Sequence, residues 1–93
     1  MKAIWNNTII AKSDETVVVE NNHYFPPDSV DMKLLKKNGD EYECPWKGTA
    51  YYYDITVDGE TKAGAAFSYP EPSEKAKKIA GYFAFWKEVA VIE

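Results

Sequence analysis

The sequence is poor in the residues that build disulfides and metal centres. It has one cysteine, Cys44, and one histidine, His23, among 93 residues. A single cysteine cannot close an internal disulfide, so nothing indicates an oxidising compartment. Structural zinc takes four Cys or His ligands, which this chain lacks. Asp28 and Asp31 in "DSVD" are better placed to cap a turn than to hold a metal. We therefore expect neither a metal nor another cofactor.

Long apolar runs and clustered positive charge are missing as well. No segment approaches the ~18 apolar residues of a membrane-spanning helix, and the N-terminus lacks the apolar core of a signal peptide. The net charge of −4 argues against binding to a phosphate backbone. No glycine-rich phosphate loop is present. The expectation is a soluble, cytoplasmic protein without nucleic-acid or membrane partners.

What the chain does contain is typical of a packed globule. Hydrophobic residues make up 45% of it and aromatic residues 15%, whereas a disordered chain is depleted in both. The length predicts one domain, residues 1–93, with enough core to fold without metals or disulfides.

Turn signals divide the chain into short strands. Asp58-Gly59 in "ITVDGETK" and Asn6-Asn7 in "AIWNNTIIA" are pairs that tight hairpin turns prefer, because both positions need a positive φ. Asn38-Gly39 predicts a further turn before "EYEC". In "AYYYDITVD" the side chains alternate, which predicts a strand with Tyr52 on its more accessible face.

One short helix is expected near residues 73–80, capped by Ser73 and stopped by Gly81. The segment "YFAFWKEVAVIE" fits helix or strand, and its aromatic and β-branched content favours a last strand. The whole pattern predicts a mainly β, compact antiparallel two-sheet domain of the sandwich or β-tent kind, with that one helix.

Two proline corners and a stiff loop are the most promising places for a site. They are "PWKG" at 45–48, "FSYPEP" at 67–72 and the loop that contains His23. If they lie at one end of the sheets, they line a cleft in which Trp46 provides a stacking wall and Lys47 a charge. Such a cleft suits a small neutral or cationic ligand. The predicted ligand-binding residues are Tyr24, Trp46, Lys47, Tyr52 and Tyr69.

Two other functions stay open. In the first, Cys44 is a catalytic nucleophile, His23 its base, and Lys47 stabilises the thiolate or an oxyanion. Against it, free cysteine is often simply a small buried residue. In the second, exposed aromatics or an edge strand pair with another protein, including a second copy in a homodimer.

Five motifs in order, "NNHYFPP", "CPWKGTAYYY", "VDG", "AAFSYPEP" and "IAGYFAFW", resemble the small bacterial family called domain of unknown function 427. The resemblance runs from Ile4 to Val91 and implies a compact β-rich domain, related to the β-tent architecture. That family carries a nucleotidyltransferase label, yet this chain has no Gly-Ser loop with an Asp-x-Asp metal pair. The positions that the resemblance marks, without separating binding from packing, are His23, Tyr24, Phe25, Pro26, Cys44, Pro45, Trp46, Lys47, Gly48, Tyr52, Tyr69, Pro70, Tyr82, Phe85 and Trp86.

Overall fold

The computed structural model describes residues 1–93 and is built almost entirely of antiparallel strands. Short 3-10 turns replace α-helices at Pro27–Ser29, Met32–Leu34 and Glu74–Ile79. No helix in it has the length and apolar character needed to cross a membrane. The strands are β1 (Lys2–Trp5), β2 (Thr8–Lys12), β3 (Val17–Val19), β4 (Asn22–Tyr24), β5 (Leu35–Cys44), β6 (Gly48–Val57), β7 (Glu60–Ser68), β8 (Phe83–Phe85) and β9 (Ala90–Ile92).

The strands form three sheets. Their orders are β2-β1-β9, β3-β4 and β5-β6-β7-β8, and all neighbours are antiparallel. In the first sheet the two ends of the chain pair, with Lys2 opposite Ile92. Backbone hydrogen bonds of 2.7 and 2.9 Å between Phe25 and Phe83 attach the β3–β4 hairpin to the β8 edge of the largest sheet. The predicted mainly β antiparallel fold is confirmed, with three sheets where two were expected.

The largest sheet has a hydrophobic core on each face. Successive side chains of a strand point to opposite faces, so Phe83 and Phe85 of β8 enter one core and Ala84 the other. The same alternation in β6 places Ile55 in the first core and Tyr52 against the second. The first core also contains Ala3, Ile10, Ala11, Phe25 and Val30; the second contains Val19, Tyr24, Ala50, Phe67, Tyr69, Ala76 and Ile79.

Two of the predicted hairpin turns are confirmed and one is wrong. Asn6 and Asn7 have φ of 52° and 60°, and Asp58 has φ of 51° before Gly59. The Asn38-Gly39 pair, by contrast, lies inside β5, where the register with β6 shifts between residues 37 and 41. It forms a bulge because the strand resumes its pairing with β6 immediately afterwards.

The C-terminal third differs from expectation in detail. The helix near residues 73–80 is a 3-10 turn, Glu74–Ile79, kinked at Ala76. Ser73 does not cap it through its side chain, because the hydroxyl donates to the backbone carbonyl of Trp46 instead. Residues 82–92 are extended as predicted, but a turn with Lys87 at φ 59° divides them into β8 and β9.

Gly48 lies where the β5–β6 turn meets the second proline corner. Its φ is +108°, and a Cβ there would lie 3.3 Å from Pro72 Cα, whereas Gly59 (φ +81°) has open space around it. We expect Gly59→Ala to cost about 1–2 kcal/mol of unfolding free energy, because only the backbone conformation opposes it. Gly48→Ala should cost clearly more, since crowding is added. Urea denaturation of both variants measures the difference, and equal losses would contradict this account of the corner.

Candidate functional site

A buried lysine connects two hairpin turns. The side chain of Lys47 is 8% exposed, and its ammonium donates to Glu20 Oε1 in the β3–β4 turn. The second carboxylate oxygen of Glu20 accepts a hydrogen bond of 3.4 Å from Trp46 Nε1. We call these three residues the Glu20 clasp. Because they belong to different hairpins, the clasp holds the β3–β4 hairpin against the β5–β6 turn.

Aromatic rings surround the lysine of the clasp. Lys47 Nζ lies 5.3 Å from the ring centroid of Tyr69 and 5.5 Å from that of Trp46, distances at which a cation is attracted to a ring face. The ring of Tyr24 follows, 6.4 Å from that of Tyr69. Four of the five predicted ligand-binding residues therefore do lie together. Most of this cluster belongs to the protein interior, since Tyr24 and Tyr69 are buried and only Trp46 is appreciably exposed.

The charges of the clasp support each other. The hydrogen bond from Lys47 holds the pKa of Glu20 below its usual value. Burial by itself lowers the pKa of Lys47, but the hydrogen bond to Glu20, together with the neighbouring Tyr24 and Tyr69, outweighs burial and raises it. Lys47 is thus a permanent cation at neutral pH and not an amine nucleophile.

Tyr24 is the one buried polar side chain without a hydrogen-bond partner. Its residue is fully buried, and no protein group contacts its hydroxyl at hydrogen-bonding distance. Burial raises the pKa of Tyr24 to about 12, and the positive charge of Lys47 acts in the opposite direction. The ring of Tyr24 lies 6.4 Å from that of Tyr69, and Lys47 Nζ lies 5.3 Å from the Tyr69 ring, so this phenol lies close to the clasp.

The two proline corners meet, but the predicted catalytic pair does not. Ser73, after the second corner, donates from its backbone to the Lys47 carbonyl at 2.9 Å. Half-buried Cys44 ends β5 and packs on the second core. His23 precedes Tyr24 in β4, so it faces the opposite side, and its Nδ1 pairs with Thr16 Oγ1 at 2.9 Å. No hydrogen bond joins His23 to Cys44, and the catalytic hypothesis is left without a supporting contact.

The open site lies elsewhere, in a cleft of about 170 Å³. Its wall is Trp86, which is 46% exposed and stacks on Tyr52 with ring centroids 6.2 Å apart and planes inclined by 30°. The indole N–H donates to the Gly64 carbonyl at 2.6 Å, which fixes the ring. Asp40 and Lys87 complete the lining. We call this the Trp86 cleft; of the predicted ligand-binding residues, only Tyr52 reaches it.

Adjacent irregularities in two neighbouring strand pairs create the Trp86 cleft. One is the bulge of β5 around Asn38; the other is a register shift between β6 and β7 at residues 53–55. Asp54 ties them together, since its Oδ1 accepts from Asn38 Nδ2 at 2.8 Å and from Gly64 N at 2.9 Å. A glycine inside a strand pattern often marks such a bulge. "KNGDE" and "KAGAAF" were therefore the sequence signals for this cleft.

Charge and shape define what the Trp86 cleft can accept. Lys87 Nζ lies 5.4 Å from the Trp86 ring centroid and is bound to the Ala63 carbonyl at 2.8 Å. Asp40 has no lysine partner, so its carboxylate is free to meet a positive group. The volume is below the ~300 Å³ of pockets for drug-sized ligands. The cleft therefore fits one ring-sized group and leaves the rest of a ligand in solvent.

The free edge of the largest sheet is a weaker candidate for a binding surface. Strand β5 has no partner on its outer side and exposes Tyr42. It also carries a bulge and several exposed charges, which are the features that protect edge strands from pairing. The exposed charged residues of β5 are Lys36, Lys37, Asp40, Glu41 and Glu43. The interaction-module hypothesis stays a prediction.

Fold and site together define a small antiparallel β domain with one closed polar cluster and one open aromatic cleft. The chain belongs to the family described as domain of unknown function 427 (DUF427), whose family model matches residues 1–93. The family resemblance seen in the motifs is therefore confirmed. No curated protein matches the chain.

Because of the clasp, the free energy of unfolding should decrease at acid pH. A carboxylate whose pKa is lowered in the fold stabilises it above the ordinary value of 4.5, and that stabilisation is lost as the pH falls through the lowered value. Glu20→Gln should therefore be less stable than the wild type at pH 7, and the gap should close in acid. Urea denaturation of both proteins between pH 7 and pH 3 measures it. A gap that stays constant over this range would contradict the ion pair.

Removing the hydroxyl of Tyr24 should be nearly neutral at pH 7. We expect Tyr24→Phe to change the unfolding free energy by less than about 1 kcal/mol, because no hydrogen bond is lost. In alkali the wild type should lose stability between pH 10 and about 12, since the unfolded state ionises first. Tyr24→Phe should lack this component, and Tyr42→Phe, which removes an exposed hydroxyl, should keep it. Denaturation at alkaline pH distinguishes the two variants.

Proposed function

We propose that this chain is a small-molecule-binding β domain and that the Trp86 cleft is its binding site. The observation that carries the proposal is the half-exposed Trp86 ring, held by Gly64 and stacked on Tyr52. A fixed, exposed aromatic wall is prepared for stacking, because little side-chain freedom is lost when a ligand binds. Packing alone does not require a large indole to be held rigid at the surface.

The ligand class follows from the lining. The exposed part of the Trp86 ring favours a flat partner. Lys87 is bound to the Ala63 carbonyl, whereas the carboxylate of Asp40 has no lysine partner and favours a positive group on the ligand. The net charge of −4 disfavours polyanions. We infer a planar, neutral or singly cationic molecule with one ring inside the cleft. This agrees with the neutral or cationic ligand expected from the sequence, although the site lies beside Trp86 instead of Trp46.

We favour binding over catalysis because the aromatic wall of the cleft supports stacking, whereas its two charged residues, Asp40 and Lys87, form no ion pair with each other. The alternative that uses Cys44 and His23 has no hydrogen bond between these two residues to support it, and His23 Nδ1 pairs with Thr16 Oγ1. The proposed setting is the bacterial cytoplasm, which the single cysteine and the family resemblance support.

A titration followed by NMR tests the proposal. The chain has three tryptophans, whose indole N–H signals can be followed separately. We expect a member of a panel of neutral and cationic heteroaromatic metabolites to shift the Trp86 signal saturably. Asp40→Asn should weaken a cationic ligand about three- to tenfold, because a charge-assisted contact is lost.

Matched tryptophan variants serve as the control. Trp86→Leu should abolish binding, whereas Trp46→Leu, at the other exposed tryptophan, should retain it. If no panel member moves the Trp86 signal, or if Trp86→Leu binds as the wild type does, the cleft is not the site.

A further inference from the structure

The Glu20 clasp has the arrangement of a carboxylate-binding site. Glu20 accepts a charged hydrogen bond from Lys47 on one oxygen and a neutral one from Trp46 on the other. Two donors on two oxygens, one of them cationic, is how proteins hold a carboxylate ligand. Here the carboxylate comes from the chain itself.

Donors outnumber acceptors at this place. The ammonium of Lys47 has three N–H groups. Glu20 accepts a close hydrogen bond from it, and the Tyr69 hydroxyl accepts at most a weaker one, so at least one N–H group is left over. The hydroxyl of fully buried Tyr24 has no acceptor at all, and the ring that carries it lies 6.4 Å from the ring of Tyr69, beside which Lys47 lies. Buried polar groups are nearly always hydrogen-bonded, so a surplus of donors points to a further acceptor.

Glu20 itself is a replaceable occupant. Its side chain is 52% exposed while that of Lys47 is 8% exposed, so a solute can approach the carboxylate from the solvent side. Its backbone has φ of 52°, a conformation that glycine and asparagine adopt far more readily than glutamate. The turn thus presents an unfavourable residue at the one position that reaches Lys47.

We propose that Lys47 and Trp46 form a second binding site, for a small organic carboxylate, and that Glu20 is an internal occupant which the ligand displaces. The ligand carboxylate takes both donors, and its apolar body lies on the ring of Trp46, which is 37% exposed. Lys47 stays an ammonium throughout and forms no covalent bond. The opposite sign of charge distinguishes this site from the Trp86 cleft, where Asp40 favours a cation.

Calorimetric titration with benzoate tests the displacement, with benzamide as its neutral analogue. Glu20→Gln removes the charge of the internal competitor, and we expect it to bind benzoate about tenfold more tightly than the wild type. Glu88→Gln is the matched control, because it removes another exposed carboxylate that pairs with a lysine, Lys62. It should bind benzoate as the wild type does. Benzamide, which lacks the charge, should bind Glu20→Gln no more tightly than it binds the wild type.

Two double variants, each built on Glu20→Gln, test the two donors Trp46 and Lys47. Adding Trp46→Phe keeps a ring but removes the N–H, and should weaken benzoate several-fold. Adding Lys47→Met should abolish binding, and the Trp46→Phe variant keeps the test decisive if that protein does not fold. Equal affinity in the wild type and Glu20→Gln would overturn the proposal. So would an equal gain in Glu88→Gln, or a gain for benzamide in Glu20→Gln as large as the gain for benzoate.

Discussion

The structure depends on finding a counter-charge for one buried cation. An ammonium taken out of water is costly unless a carboxylate and further hydrogen bonds compensate for it. Lys47 comes directly before β6 in a tight turn, where it cannot reach solvent freely. Glu20, in the turn of the β3–β4 hairpin, supplies the carboxylate. That pairing, together with the backbone hydrogen bonds between Phe25 and Phe83, fixes the position of the β3–β4 hairpin and the burial of Tyr24.

A second polar residue, Asp54, stabilises the backbone around the open site. Asp54 receives hydrogen bonds from two different strands, and so holds two bulges next to each other. Without it, β5, β6 and β7 would form a regular ladder whose faces are filled by side chains, with no recess beside Trp86. The closed cluster and the open cleft share the second core, since the ring of Phe67 contacts the rings of Tyr69 and Trp86.

Local chemistry made part of this architecture predictable. The Asp58-Gly59 and Asn6-Asn7 turns need positive φ at two adjacent residues. The residue types at those two positions are therefore enough to predict the turns. Asn38-Gly39 has the same composition but forms a bulge, because the contact that decides it comes from Asp54, 16 residues away. For an exposed glutamate such as Glu20, the neighbouring sequence does not indicate which residue it pairs with. Trp86 was marked by the family resemblance, yet its exposure depends on where β8 joins the sheet.

The pairing of β1 with β9 has a topological consequence. With Lys2 opposite Ile92, the two ends of the chain lie side by side, and the fold is in effect a ring cut at one point. A short linker between the ends would close that ring. New ends could then be opened at the exposed Asp58-Gly59 turn, which no other atoms crowd. Such a circular permutant would move the chain ends to the β6–β7 turn, although β1 and β9 would remain paired.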